Sequence, residues 1–315
     1  MKKAVLTLCL AALTATAPSA AAGAPDITFK TRASYNIDAD GCSLHGDRIT
    51  LALKGDLDNH FSYSVLHNLN KPITATDVFS ATDWAWLQYS PDSHWKFQGG
   101  KVVMDYGCFE YDDSPIDLYV TGEYWDNVGA FLFGASAGYD WGSDYVKFQI
   151  TQSPFFETGR SLLSYNVSWY GTHEGWKSIW SVNFMQQRED ECALHLALGD
   201  RFTWGPLTFT LDLMNRCDLA CPKLLASTSL AAEIKLQASS KTDFWLKLDN
   251  DRNEGYEDDL MVAYGMNLTR IGCGVEFKPI SNVRLHAFYC KQFGTAELDT
   301  FNIGITWALK ILEGK

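Results

Sequence analysis

Apolar and polar residues alternate along most of this chain. Near its end Phe301, Ile303, Ile305, Trp307, Leu309 and Ile311 are apolar, and Asn302, Gly304, Thr306, Ala308 and Lys310 stand between them. A strand sends successive side chains to opposite faces, so this stretch predicts a strand with one greasy and one polar face. Near the start Ile27, Phe29, Ala33, Tyr35 and Ile37 share one parity, and Thr28, Lys30, Arg32, Ser34 and Asn36 the other. The same period, punctuated by Gly, Pro, Asn, Asp and Ser, predicts strands over 27–37, 48–57, 60–69, 82–89, 94–104, 129–139, 143–152 and 162–171. It continues over 176–187, 192–203, 207–216, 228–238, 242–250, 267–278, 283–292 and 299–311. That makes about sixteen strands, each near the ~9–11 residues a tilted strand needs to cross a bilayer.

The connections alternate in length. Short ones fall at Asp58-Asn59, 90–93, 140–142, 172–175, 204–206, 239–241 and 279–282, and longer ones at 38–47, 70–81, 105–128, 153–161, 217–227 and 251–266. Bacterial outer-membrane barrels have short turns on one side and long loops on the other, whereas a soluble sandwich has no reason to alternate this way. The predicted fold is all-β: a closed antiparallel transmembrane β-barrel.

Composition agrees. Tryptophan, tyrosine and phenylalanine are plentiful, while no segment after the first two dozen residues could span a bilayer as a helix. Lys2-Lys3, the apolar run Ala4–Leu13 and the small residues Ala20-Ala21-Ala22 read as a secretory signal peptide over residues 1–22, leaving 23–315 as one barrel domain. The net charge is −12, and two units more negative once Lys2 and Lys3 leave, so a nucleic-acid partner is not expected.

The longest connection, 105–128, carries Asp105, Glu110, Asp112, Asp113, Asp117, Glu123 and Asp126 and no lysine or arginine. Its Phe109, Tyr111, Ile116, Leu118, Tyr119, Tyr124 and Trp125 are too many apolar groups for a loop surrounded by water, and they point to packing against an inner wall. The polar faces of the strands supply the opposite charge in Lys30, Arg32, Lys54, Arg201, Arg216, Lys235, Lys247, Arg270 and Arg284. A lysine or arginine facing mid-bilayer costs about 2–4 kcal/mol, so this sorting implies a watery lumen on that face. Acidic loop and basic wall together would form a constriction that aligns small polar solutes and filters ions.

Other constellations give less. No serine or histidine is marked as a nucleophile, His195 and His286 read as polar groups facing inward, and no catalytic residue or cofactor is expected. Asp249-x-Asp251-x-Asn253 opens like a calcium loop but lacks its glycine and its closing glutamate, so no metal is expected. Of eight cysteines, Cys9 lies in the leader, which leaves an odd number. If Thr203 pairs with Pro206, the register sets Cys192 opposite Cys217 and makes a disulfide feasible, with Cys221 as competitor. Cys273 and Cys290 have opposite parity and cannot bond.

Two resemblances sharpen these expectations. Asn302-x-Gly304-x-x-Trp307-x-Leu309 resembles the C-terminal sorting signal of bacterial outer-membrane barrels, which implies the barrel assembly machinery as a partner. From Asp83 onward the chain resembles the phosphate-selective porin O and P family. The resemblance rests on Thr82-Asp83-Trp84-Ala85-Trp86, Gly99-Gly100-Lys101, Gly107-Cys108-Phe109-Glu110-Tyr111-Asp112, Ser114–Tyr119 and Asn127-Val128-Gly129. Gly199–Phe202, Leu213–Arg216 and Leu268–Gly272 add to it. The resemblance implies a homotrimeric, sixteen-stranded diffusion channel in the bacterial outer membrane, with the third outer loop folded inward. The phosphate-specific members use a ladder of arginines and lysines, and here the third loop is wholly acidic, so phosphate selectivity does not carry over.

The expected function is passive diffusion of small polar solutes and ions through a barrel in the lipid bilayer. Two alternatives stand beside it: a plugged structural or adhesion barrel acting through its outer loops, and a secreted carbohydrate-binding β-sandwich.

Overall fold

The computed structural model describes residues 24–39, 41–73, 79–155, 162–189, 191–219, 223–257 and 261–314. The leader expected at 1–22 lies outside them, as does Cys221.

Alternation builds the molecule. Strands β1 (Asp26–Asp38), β2 (Gly41–Asp56), β3 (Phe61–Asn68), β4 (Thr82–Tyr89), β5 (Trp95–Val103), β6 (Phe131–Asp140), β7 (Asp144–Gln152) and β8 (Leu163–His173) form one half. The other half is β9 (Trp176–Arg188), β10 (Glu191–Trp204), β11 (Leu207–Asp218), β12 (Ser227–Ser239), β13 (Thr242–Asn253), β14 (Asn267–Ile280), β15 (Val283–Gly294) and β16 (Leu298–Leu312). Each strand pairs antiparallel with its sequence neighbours, and β1 pairs with β16, which closes the sheet into a barrel. The last strand is thus the closing seam, where Phe29 and Trp307 lie with ring centroids 5.3 Å apart.

The faces are inverted relative to a soluble protein. On β16, Ile303 is 50% exposed while its neighbours Asn302 and Thr306 are 5% and 3% exposed. Apolar residues outside and polar residues inside suit a hydrocarbon surrounding, and they exclude a sandwich core between two sheets.

Aspartates set the tight turns. Asp58 accepts from the backbone N–H groups of His60 and Phe61, both at 2.7 Å, and Asp92 does the same for His94 and Trp95 at 2.8 Å. A side chain that mimics a turn hydrogen bond needs only short connections.

The predicted loop 38–47 is instead mostly strand. β2 begins at Gly41, and Arg32 pairs with Arg48 while Ala33 pairs with Gly46, so Asp47 is an extra, bulged residue. Its carboxylate takes Arg32 Nε at 3.2 Å and Ser34 Oγ at 2.9 Å. A bulge shifts the parity, which hides the rest of the strand from a two-residue period.

The disulfide register is also corrected. Thr203 pairs with Thr208, which places Leu194 opposite Cys217, and both Cys192 and Cys217 are free thiols. The two share the outward face but sit out of register, because Trp204 and Leu207 close a tighter turn than supposed. Cys290 does face inward and Cys273 outward, as their parity requires, with Tyr289 and Gly272 as their cross-strand partners.

Candidate functional site

The connection between β5 and β6 does not stay outside the barrel. Its base is closed by the Met104 N–H donating to Ala130 O at 2.7 Å. Gly107 and Cys108 then take positive φ angles of 73° and 81°, which turn the chain inward. On the wall beneath, a Cβ at Gly199 would stand 2.7 Å from Cys108 Cα, so the glycine lets the two backbones touch.

Wall groups take up the loop's polar atoms one after another. Asp212 accepts from the N–H groups of Phe109 and Glu110, both at 2.9 Å, at the start of the short helix α1 (Phe109–Asp112). Lys247 donates to Glu110 Oε1 at 2.9 Å and to Val120 O at 2.6 Å. Arg201 holds Asp113 through two nitrogens, at 2.6 and 3.3 Å, and lies 4.0 Å over the Phe109 ring. Asp117 is shared by Lys30 at 2.9 Å and Arg284 at 2.6 Å, while Arg32 donates to the carbonyls of Ile116 and Leu118. Asp105 pairs with Lys147 at 2.8 Å. Arg270 bridges Asp251 and Glu123 on helix α2 (Glu123–Asn127).

The tip of the loop is seated by shape. Val120 packs against Trp245 and Phe288. Tyr119 stacks on Trp245 with centroids 5.8 Å apart and donates its hydroxyl to Glu276 at 2.8 Å. A Cβ at Gly272 would meet Val120 Cγ2 at 2.8 Å, so β14 leaves a notch for the valine.

Two water-accessible cavities flank this tip. One of about 450 Å³ lies toward the short turns and includes Asp113, Asp117, Arg201, Glu233, Lys235 and Arg284 in its wall. One of about 320 Å³ lies toward the long loops and includes Arg32, Asp47, Asp126, Arg270, Cys290 and Asn302. Tyr119 and Val120 line both.

The expected site residues therefore divide. Asp113, Asp117 and Asp126 line the cavities, but Asp105, Glu110 and Tyr111 are buried attachments that line neither. Tyr111 packs in an apolar cluster under the loop and donates to Tyr124 O at 2.8 Å. Of the wall bases, Lys54 sits at the short-turn rim, with Asp26 at 3.6 Å, far from the loop in the ladder. Arg216 is buried on β11 across from His195, below Tyr124, and does not line either cavity. Sequence reasoning missed Asp212, Lys147 and the anchoring role of Asp251. The inward parity of Asp212 amid leucines was the available signal. The calcium-like aspartates lie along extended β13, where they cannot wrap an ion. Asp251 is already engaged by Ser229, Arg270 and the Glu123 N–H.

Charge on the loop is uneven in its neutralisation. Asp112 and Asp126 have no basic partner within bonding distance among the described residues, and Asp126 accepts only from Thr121 at 3.1 Å. Desolvation inside the barrel, followed by Asp113 and Asp105 nearby, raises the Asp112 carboxyl above the usual aspartate range, and desolvation also raises Asp126. Burial pushes Asp117 the same way, but Arg284 and Lys30 outweigh it and hold that carboxyl low.

A sixteen-stranded closed barrel with an inward loop and polar cavities on either side is the architecture of an outer-membrane porin. Residues 36–173 match the family described as phosphate-selective porin O and P. That match starts earlier than the resemblance from Asp83 and ends before Gly199–Phe202. The fold is shared with OmpT of Vibrio cholerae in its trimer form, at 15% identity and TM-score 0.65, covering 91% of this chain and 100% of that one. A loop L8 deletion mutant of that protein gives 14% identity and TM-score 0.67, covering 91% and 99%. An anion-selective porin from Comamonas acidovorans gives 10% identity and TM-score 0.63, covering 91% and 100%. Among curated proteins none is significantly similar in sequence. The chain is an outer-membrane porin, a passive diffusion channel.

Proposed function

We propose that this porin admits small polar solutes and ions of either sign past the loop tip, with weak selectivity and a slight preference for cations. The observation that carries this is the pairing of loop acids with wall bases. Lys30, Arg201, Lys247, Arg270 and Arg284 each hold a loop carboxylate, which cancels most of the charge on both sides. What remains on the loop is Asp112 and Asp126, and their negative charge favours cations. The loop then acts as a fixed partition that sets the width of the passage, and no catalytic step is assigned to it. The wall groups Lys54 and Arg216 take no part in the constriction.

The proposal extends to the setting. Residues 1–22 direct export and are removed, the C-terminal strand is read by the assembly machinery, and three copies associate in the bacterial outer membrane. The trimer form of the Vibrio cholerae relative supports the last point.

The test is the reversal potential of purified protein in a planar bilayer under a potassium chloride gradient. A small cation-selective potential that moves toward zero in Asp112→Asn/Asp126→Asn is expected. A strong anion or phosphate preference overturns the selectivity, and a bilayer with no conductance and no liposome swelling in small sugars means a plugged barrel.

A further inference from the structure

The lumen is chemically divided. The half formed by β1 and β9–β16 is ionic and holds the loop. The half formed by β3–β6 is neutral: its inward-facing charges are confined to Lys96 and Asp140, which pair with each other at 2.6 Å at the short-turn rim.

On that neutral half two tryptophans face inward. Trp86 pairs across the ladder with Ser64 and Gly100, and Trp84 with Leu66, all on the parity of the inward Lys54. Trp84 is engaged: it donates its indole N–H to Ser64 Oγ at 2.9 Å and meets the Phe131 ring at 6.1 Å. Trp86 is half-buried, with no aromatic neighbour among the described residues. Its strand neighbour must be glycine for backbone reasons. Gly100 has φ of 129°, and a Cβ there would stand 2.4 Å from Ala85 O. Gly134 follows Gly100 on the next strand. Two strand spacings, about 10 Å, thus carry no side chain beside the indole.

One register step toward the short turns, Ser62, Gln88, Gln98 and Ser136 pair in an unbroken row across four strands. This row presents hydroxyls and amides, which donate and accept, and no charge. An aromatic face beside a neutral hydrogen-bonding row is the chemistry that recognises a ring with one apolar face and a rim of hydroxyls.

We propose that Trp86 and the Ser62–Gln88–Gln98–Ser136 row form a binding subsite for neutral sugars inside the lumen, with the indole stacking on a pyranose ring. The inference rests on the channel reading above and adds a substrate class to it. It needs no charge on the solute, which separates it from filtering by the loop.

The experiment is maltotriose added to the wild-type channel in a planar bilayer in potassium chloride. Saturable interruption of the ion current is expected. The half-blocking concentration rises about tenfold in Trp86→Ala, as loss of one ring contact implies, and less in Trp86→Phe. Should Trp86→Ala fail to insert, Gln98→Leu carries the test: a raised half-blocking concentration supports the subsite and an unchanged one overturns it. A block that grows linearly without saturating, or one equal in wild type and Trp86→Ala, overturns the inference alone. A wild-type chain with no potassium chloride conductance overturns the channel reading and the subsite with it.

Discussion

Lys247 on the barrel wall and Glu110 on the inward loop meet at 2.9 Å, and their side chains are only 8% and 3% exposed. The same ammonium also donates to the Val120 carbonyl, so one lysine clamps both the root and the tip of the loop. Removing one partner of such a buried pair leaves the other charge uncompensated, at a cost of about 3–5 kcal/mol. Lys247→Met is therefore expected to lower the urea midpoint of the refolded protein and to widen the spread of single-channel conductances. Adding Glu110→Gln recovers part of the stability. Equal midpoints for wild type and Lys247→Met would show that the clamp contributes nothing.

The notch at Gly272 makes a steric prediction. Gly272→Val places atoms against Val120 Cγ2 and Trp245, which a Cβ alone would already meet at 2.8 and 3.2 Å. Overpacking of this kind costs about 1–3 kcal/mol and is relieved most easily by the loop. New protease cleavage within 105–128, mapped by mass spectrometry, is the expected sign of a displaced tip.

Selectivity should respond to acid before the fold does. A raised carboxyl takes up its proton at higher pH than an ordinary aspartate, so Asp112 and Asp126 lose their charge first as pH falls. Asp117, held low by Arg284 and Lys30, keeps its ion pairs through that range. The cation preference should therefore shrink on mild acidification while conductance persists. A reversal potential that stays constant down to the onset of unfolding contradicts this.

The outer face is tested by one substitution. Leu246 is 49% exposed on the apolar parity of β13. Leu246→Arg sets a guanidinium against hydrocarbon, which costs about 2–4 kcal/mol near the midplane. Refolding into lipid vesicles, followed by urea titration, should show a loss of that size.

The thiols give a simple chemical check. With Leu194 opposite Cys217, alkylation of denatured protein should label both Cys192 and Cys217 with or without prior reduction. A product that needs reductant to label either residue would show a bond that this register does not provide.

Much of the barrel was legible because alternation is a local property. Phe301 to Ile311 declares its two faces without reference to any other strand, and sixteen such segments with alternating short and long connections admit few closures. Where local parity broke, legibility broke with it. The bulge at Asp47 turned a strand into an apparent loop, and a slip in the turn at Gly205 moved Cys217 opposite the wrong residue.

The loop was legible as acidic, aromatic and in need of a wall, because charge and greasiness are carried by residue types. Which acid faces the passage was not. Glu110 and Asp113 look alike in sequence, yet one is sealed beneath Lys247 and the other opens on a cavity. That choice depends on Gly199 and Gly272 leaving room, on Asp212 catching two N–H groups, and on strands far apart in the chain converging on one loop. Period and composition fix what each segment is. Closure of the ring alone brings wall and loop within bonding distance, and so decides which charges cancel and which remain for a passing solute.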